Sequence, residues 1–242
     1  MSSASESRYT YEQYKETTDW LLERMQHKPK VAIICGSGLG GLADLLENSV
    51  AFPYKDIPCF PQSTGKACVC MQGRFHYYED YNIATVTYPV RVFTLLGVET
   101  LIVTNAAGGL NPKFNVGDIM LIGDHINMPG LAGINSLRGH NDDKFGVWFL
   151  CMSDAYDADL GRLAREVAEE QGCSSFLQQG VYCNVGGPAF ETVAESKILL
   201  SLGTDAVEYG SQDRVNHEEV LEITQRRTQD LQKLIINLLA RI

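Results

Sequence analysis

Apolar positions follow two rhythms along this chain. Tyr11, Tyr14, Leu21, Leu22 and Met25 are spaced to share one face of a helix, which Lys28 to Lys30, with Pro29 between them, bring to a close. Val31 to Cys35 is apolar throughout, the pattern of a strand buried on both faces, and it runs into a glycine turn and a short helical stretch, "LADLLENS". Strand patterns recur at "ACVCM" (67–71), "TLIVTNA" (100–106), "DIMLIGDHI" (118–126) and "GVYCNVGG" (180–187). Helical patterns lie between several of them, at "IATVTYPVRVFTLLG" from 83, "DADLGRLAREVAEEQG" from 157 and "ETVAESKILLSLG" from 191. From about Arg214 onward, Val220, Ile223, Leu231, Leu234, Ile235, Leu238 and Ile242 predict one long helix packed on a sheet face. The alternation predicts an α/β sandwich with a largely parallel or mixed sheet. No internal repeat, low-complexity tract or linker marks a domain boundary.

With 242 residues, 45% of them hydrophobic, the chain can bury a substantial core as one domain or two close-packed ones. A formal charge of −10 makes nucleic acid an improbable partner, because binding to its backbone relies on clustered Lys and Arg. A small anionic substrate in a local positive pocket stays open. No apolar run approaches bilayer-spanning length and the start, "MSSASESRYTYEQY", is polar, so a cytoplasmic chain without a membrane partner is expected. The seven cysteines include no C-x-x-C pair and are expected to be reduced. Cys68 and Cys70, on one face of the expected 67–71 strand, read either as a redox or metal pair or, preferentially, as two small buried hydrophobes.

The chemistry starts at "AIICGSGLGGL", where Gly36, Gly38 and Gly41 fit G-x-G-x-x-G directly after a strand. A strand, a glycine turn and a helix start aim unpaired N–H groups at an anion, either a dinucleotide or a free phosphate. A dinucleotide site further requires an acidic residue about twenty positions on, at the end of a second strand. Here Asp56 lies between Pro53 and Pro58, which interrupt a strand and weaken that reading. "MQGRFHYYE" instead sets Arg74 and His76 at i, i+2, on one side of an extended backbone, a forked permanent cation beside a second donor. A third glycine turn, in "VTNAAGGLNP", offers backbone N–H groups at Ala106 and Ala107, and strand C-terminal ends are where α/β sheets place ligands. In "NVGGPAFETVAE", Glu191 reads most simply as a first-turn acid favoured by the helix dipole, and Phe190 as core. His27 and His125 have no partner pattern and read as structural.

Taken in order, "ICGSGLGGL", "MQGRFHYYE", "VRVFTLLGV", "VTNAAGGLNPKFNVGDIMLIGDHIN", "MSDAYD", "GPAFETVAE" and "NHEEVL" resemble the trimeric purine nucleoside phosphorylases over nearly the whole chain. The resemblance implies a three-layer α/β sandwich around a central mixed, largely parallel sheet, formed by residues 1–242 as one domain. It also implies reversible phosphorolysis of purine nucleosides with inorganic phosphate as co-substrate, no cofactor and no metal, and assembly as a homotrimer. Ser37, Arg74, His76 and the Ala106 backbone match the family's phosphate ligands. Tyr78 and His217 match groups that hold the sugar, and Phe149 matches the aromatic residue lent to a neighbouring subunit. Phe190, Glu191 and Val207 match the base pocket. Glu191, His76 and His217 are thereby the expected catalytic residues.

Two family segments are missing, near 64–66 and 207–209. The first loss takes a phosphate-side histidine, the second a strand, a helix and a purine-binding asparagine. A shortened, impaired family member that acts by ligand binding or by co-assembly is therefore the alternative expectation. A nicotinamide dehydrogenase is the third.

Overall fold

The computed structural model describes residues 8–25, 27–36, 39–46, 49–59, 66–67, 70–208 and 217–242. Two compact units divide the chain: residues up to Asn105 with Gly133–Phe149, and Ala106–Ala132 with Leu150–Ile242.

In the first unit, helix α1 (Tyr11–Leu22) begins at a capping box in which the Thr10 hydroxyl accepts from the Gln13 N–H. Its inner face buries Tyr14, Thr17, Thr18 and Leu21. Strand β1 (Val31–Cys35) lies inside a five-stranded sheet with β2 (Phe52–Pro53), β3 (Lys66–Ala67), β4 (Cys70–Gln72) and β5 (Thr100–Val103), in the order β2-β3-β4-β1-β5. β4 and β5 both run parallel to β1, whereas β2 and β3 pair antiparallel. Helix α2 (Ile83–Leu96) starts at Asn82, whose side chain accepts from the Thr85 N–H, and stops at Gly97 with φ +87°. Tyr14, Ile34, Met71, Phe75, Tyr88, Val92 and Phe93 close the core of this unit. Inside it, the Tyr88 hydroxyl donates to the Gln13 carbonyl at 2.9 Å, so the buried polar tip is satisfied.

The second unit carries a four-stranded sheet in the order β6-β9-β8-β7, formed by β6 (Gly108–Gly109), β7 (Ile119–Asn127), β8 (Leu177–Asn184) and β9 (Ala206–Val207). The pairs β7–β8 and β8–β9 are parallel, and β6–β9 is antiparallel. A short helix, α3 (Met128–Leu131), follows β7. Helix α4 (Ala158–Glu170) is capped by Asp157 and buries Ala164, Val167 and Ala168. Val167, Ala168 and Cys173 pack on Leu234 of the long helix α6 (His217–Leu239), so the apolar spacing predicts the helix correctly but its buried stripe meets helix α4 where a sheet face was expected. Helix α5 (Val193–Ser201) leads into β9.

The α/β class holds, with parallel pairs at the centre of both sheets. The expected strand at 67–71 is a reversal instead. β3 and β4 pair antiparallel, with Ala67 opposite Met71, so the one-face pairing of Cys68 and Cys70 on a continuous strand does not apply, and Cys68 lies outside the described residues. Cys70 meets Cys35 of β1 instead, at an Sγ–Sγ distance of 3.3 Å, and both are buried. The stretch after the glycine turn is a 3-10 helix, Gly40–Leu45, whose N-terminus has no side-chain cap. β8 begins at Leu177, three residues before the pattern suggests. The two-residue strands are too short to carry a period-2 signal. Pro53 sits in one of them, at the sheet edge where a missing N–H does no harm.

Candidate functional site

Because β1, β4 and β5 run parallel, their C-terminal ends open at one edge of the first unit's sheet, the usual location of ligands in such sheets. The residues that leave these ends are Gly36, then Gly73 to His76, then Thr104 and Asn105. Gly36 is held by its own N–H, which donates to the Thr104 hydroxyl at 3.1 Å. It comes so close to the end of β5 that a Cβ there would stand 2.6 Å from the Thr104 carbonyl oxygen and 2.8 Å from Asn105 Cα. The glycine fingerprint therefore serves close backbone approach at this position. Beyond the turn, the Gln72 amide donates to the Gly40 carbonyl at 2.8 Å and ties the 3-10 helix to the end of β4.

At that end Gly73 has φ +116°, a conformation open to glycine, and turns the chain into Arg74. Phe75 is buried in the core, whereas Arg74 and His76 on either side of it are partly exposed, the alternation of an extended stretch. The His76 ring stacks on Tyr78, with centroids 4.8 Å apart and planes at 20°. Its Nδ1 lies 3.1 Å from the Glu79 carboxylate, which also accepts the His76 backbone N–H at 2.9 Å. One carboxylate thus orients the imidazole and leaves Nε2 for another partner. Arg74, His76 and Tyr78 are brought together on this segment. Phe149, at the other limit of the unit, is 88% exposed in an apolar run with Val147 and Trp148. Ser37 lies outside the described residues.

The second unit starts at Ala106, two residues before β6. Val207 is fully buried on β9, opposite Cys183 of β8, in a cluster with Leu110 and Leu199. Burial, followed by the negative charges of Glu191 and Glu208, pushes the Cys183 thiol up to about 11. These carboxylates therefore lie around the strand pair that carries Val207. Glu208 is anchored there through its N–H, which donates to the Cys183 carbonyl at 3.2 Å.

Glu191 is not the first-turn acid of α5. The cap is Thr192, in a capping box with Glu195, and Glu191 precedes it. Glu195 is the acid the helix start lowers, by hydrogen bonds from the Thr192 backbone and side chain, whereas burial raises the Glu191 carboxyl. Its Oε2 is buried with no hydrogen-bond partner among the described residues. That is an acceptor awaiting a donor, since a buried oxygen without a partner is costly. Phe190 is not core, being 43% exposed beside it. His217 is the first residue of α6, and its side chain lies outside the described residues.

One contact escaped the sequence reading. His125 does have a partner: its Nδ1 lies 3.1 Å from the Tyr156 hydroxyl, a contact between residues 31 apart that no local pattern reveals. The Thr192–Glu195 capping box, by contrast, was legible as T-x-x-E. Among the described residues no group of His, Cys, Asp and Glu could hold a metal ion, and no helix is long and apolar enough to cross a membrane.

Comparison with known proteins places the chain in a family with this α/β fold. Residues 30–211 match the phosphorylase superfamily. Purine nucleoside phosphorylase of Bos taurus is 48% identical over 278 aligned residues, covering 97% of this chain and 96% of the bovine protein. The Anopheles gambiae enzyme of the same name is 50% identical over 213 residues, covering 82% of this chain and 60% of its own. Among solved structures, a schistosoma purine nucleoside phosphorylase in complex with hypoxanthine superposes with a TM-score of 0.92 at 38% identity, covering 96% of this chain and 98% of that one. The chain belongs to the purine nucleoside phosphorylase family.

Proposed function

We propose that this chain catalyses reversible phosphorolysis of purine ribo- and deoxyribonucleosides, yielding free purine and pentose 1-phosphate. The observation that carries this reading is the convergence of three parallel strand ends at one sheet edge, with Arg74 and His76 leaving one of them, in a chain of this family. Structures related at 36% identity hold inosine or ribose-1-phosphate, the two sides of such a reaction.

In the forward direction the C1′–N9 bond breaks, its electron pair leaving with the purine, and a C1′–O bond to phosphate forms. Positive charge builds on the sugar and negative charge on the base, so the site must serve both. Phosphate is nucleophile and counter-charge. Ser37, Arg74, His76 and the Ala106 N–H hold it in position for attack, which converts an encounter into an aligned step. Tyr78 and His217 hold the sugar, with Phe149 serving a neighbouring protomer's pocket in a homotrimer. Phe190 and Val207 bound the base, and Glu191 accepts hydrogen bonds from its N1–H and exocyclic amine. The protein works in the cytoplasm, in purine salvage, as one domain of 1–242, and needs neither metal nor organic cofactor.

A second reading is a shortened member that binds ligand or co-assembles and turns over poorly. It is supported by the alignment to the bovine relative, whose 278 positions exceed the 242 residues of this chain. Incubation of purified protein with inosine, with and without phosphate, separates the two. Phosphate-dependent release of hypoxanthine is expected. Phosphate binding without release would leave only the second reading, and neither would remove both.

A further inference from the structure

Asp205 stands in the segment "GTDAV", immediately before β9, and is bonded through its backbone and through both carboxylate oxygens. Its backbone N–H donates to the Val181 carbonyl of β8 at 2.9 Å, and its carbonyl accepts the N–H groups of Leu110 and Asn111 at 2.8 and 3.1 Å. One carboxylate oxygen accepts the Asn111 side-chain amide at 2.7 Å, and the other accepts the Val181 N–H at 2.8 Å. Asn111 in turn uses its own side-chain oxygen to accept the Lys113 N–H at 2.9 Å. Room for this carboxylate exists because residue 180 is glycine: a Cβ there would lie 2.7 Å from Asp205 Oδ2.

We propose that Asp205 is a positioning residue which clamps the turn running from Ala106 to Asn111 onto β8 and β9. The main-chain ladder alone pairs only two residues of β6, Gly108 and Gly109, with β9. Two glycines without side chains form a weak strand, so its geometry depends on how Leu110 and Asn111 are held. The Asp205 carboxylate holds Asn111 firmly, because bonds from neutral donors to an ionised acceptor are about twice as strong as neutral ones. The same residue precedes Val207 by two positions, so the backbone that presents Ala106 and the strand that bounds the base share one anchor. This rests on the phosphorolysis reading insofar as the turn from Ala106 contacts phosphate.

Exchanging the partners tests the clamp. In Asp205→Asn the new amide faces the Asn111 amide, donor against donor, and Asn111 cannot flip without losing Lys113. In Asn111→Asp two carboxylates face each other. In the double variant Asn111→Asp/Asp205→Asn every bond is restored: the new carboxylate accepts from Lys113 and from the new amide, whose oxygen keeps Val181. Hydrogen exchange of the 108–111 amides should quicken in each single variant and return to the wild-type rate in the exchange variant. Calorimetric titration with inorganic phosphate should show affinity lowered at least about tenfold in the singles and regained in the double. If a single variant does not fold, recovery by the double alone supports the clamp, and Asn111→Ala, which removes the bonds to Asp205 and from Lys113 at a partly exposed position without opposing two donors or two charges, supplies the exchange measurement. Wild-type exchange in the singles, or a folded double variant that exchanges as fast as they do, overturns the proposal. Restored exchange in the double variant, together with a wild-type protein that binds no phosphate, overturns the phosphate role and the functional reading but not the clamp geometry.

Discussion

In the proposed reaction Arg74 serves the phosphate and Glu191 the base, and single substitutions separate the two roles. Arg74→Ala should weaken phosphate binding by about tenfold to a hundredfold, the usual worth of a charge-assisted bond, and leave hypoxanthine binding within about twofold. Equal losses in the two titrations would count against the assignment. Glu191 is held above the usual carboxylate range by burial. A raised folded-state pKa means that folding favours the protonated form, so this group's contribution to stability is complete below its unfolded pKa and is lost as pH rises through the folded one. Glu191→Gln, neutral throughout, should therefore gain stability relative to the wild type as pH rises from about 4 to about 7, read by urea denaturation. Hypoxanthine binding should fall in the wild type as the carboxylate protonates in acid, and that limb should be absent in the variant. A variant with the same acid limb would transfer the role to another group. Arg74 and His76 could be singled out from local residue types and spacing, whereas Glu191 entered the proposed site only through the family resemblance, its own residue pattern having read as a first-turn acid. The imidazole's carboxylate partner, Glu79, and the unpartnered Oε2 of Glu191 were not readable, since orientation and burial are properties of folded side chains.

At the scale of elements, Gly36 decides how closely β1's exit approaches the end of β5. The atoms that a Cβ would meet belong to the backbone at Thr104 and Asn105, which has no rotamer to yield. Gly36→Ala should cost about 1–3 kcal/mol of stability, as overpacking does, and should also lower phosphate affinity by separating the strand ends. An alanine variant with unchanged melting temperature and unchanged phosphate titration would show that the approach has no such role. The hydrophobic rhythm announced the long helices, the buried strand β1 and the strand β5, because those elements carry unbroken or repeated apolar patterns, although β5 leaves Leu101 and Val103 exposed. It could not announce β6 or β9, each of two residues, nor the 66–72 reversal, where the apolar run hid a change of direction.

Across the whole molecule, ligand linkage reports on both parts of the site. A ligand that binds only the native state raises stability by about 2.7 kcal/mol at a hundred times its dissociation constant. Phosphate should raise the melting temperature in this way. If the chain lacks a base-side donor after Val207, as the family resemblance implies, hypoxanthine should raise it less at equal concentration. The loss of one such donor also typically lowers turnover by about a hundredfold to a thousandfold. A larger shift with hypoxanthine than with phosphate would show that the base pocket is intact despite the missing segment. Light scattering should give a trimer, since the exposed run Val147 to Phe149 offers the apolar surface that an interface needs. A stable monomer would remove Phe149 from the site.

By itself the sequence determined the α/β class, the main helices and strands and the family, because each is written in contiguous residues whose spacing or motif survives without coordinates. Only the tertiary structure decided that the strands divide between two sheets in two units, that Thr192 and not Glu191 starts α5, and that Cys70 meets Cys35. The contacts that tie Asp205 to Asn111, 94 residues away, and Gly36 to Thr104, 68 away, were likewise invisible beforehand. Both join strands far apart in the chain, and which distant residues meet depends on sheet order and register, which no local pattern specifies.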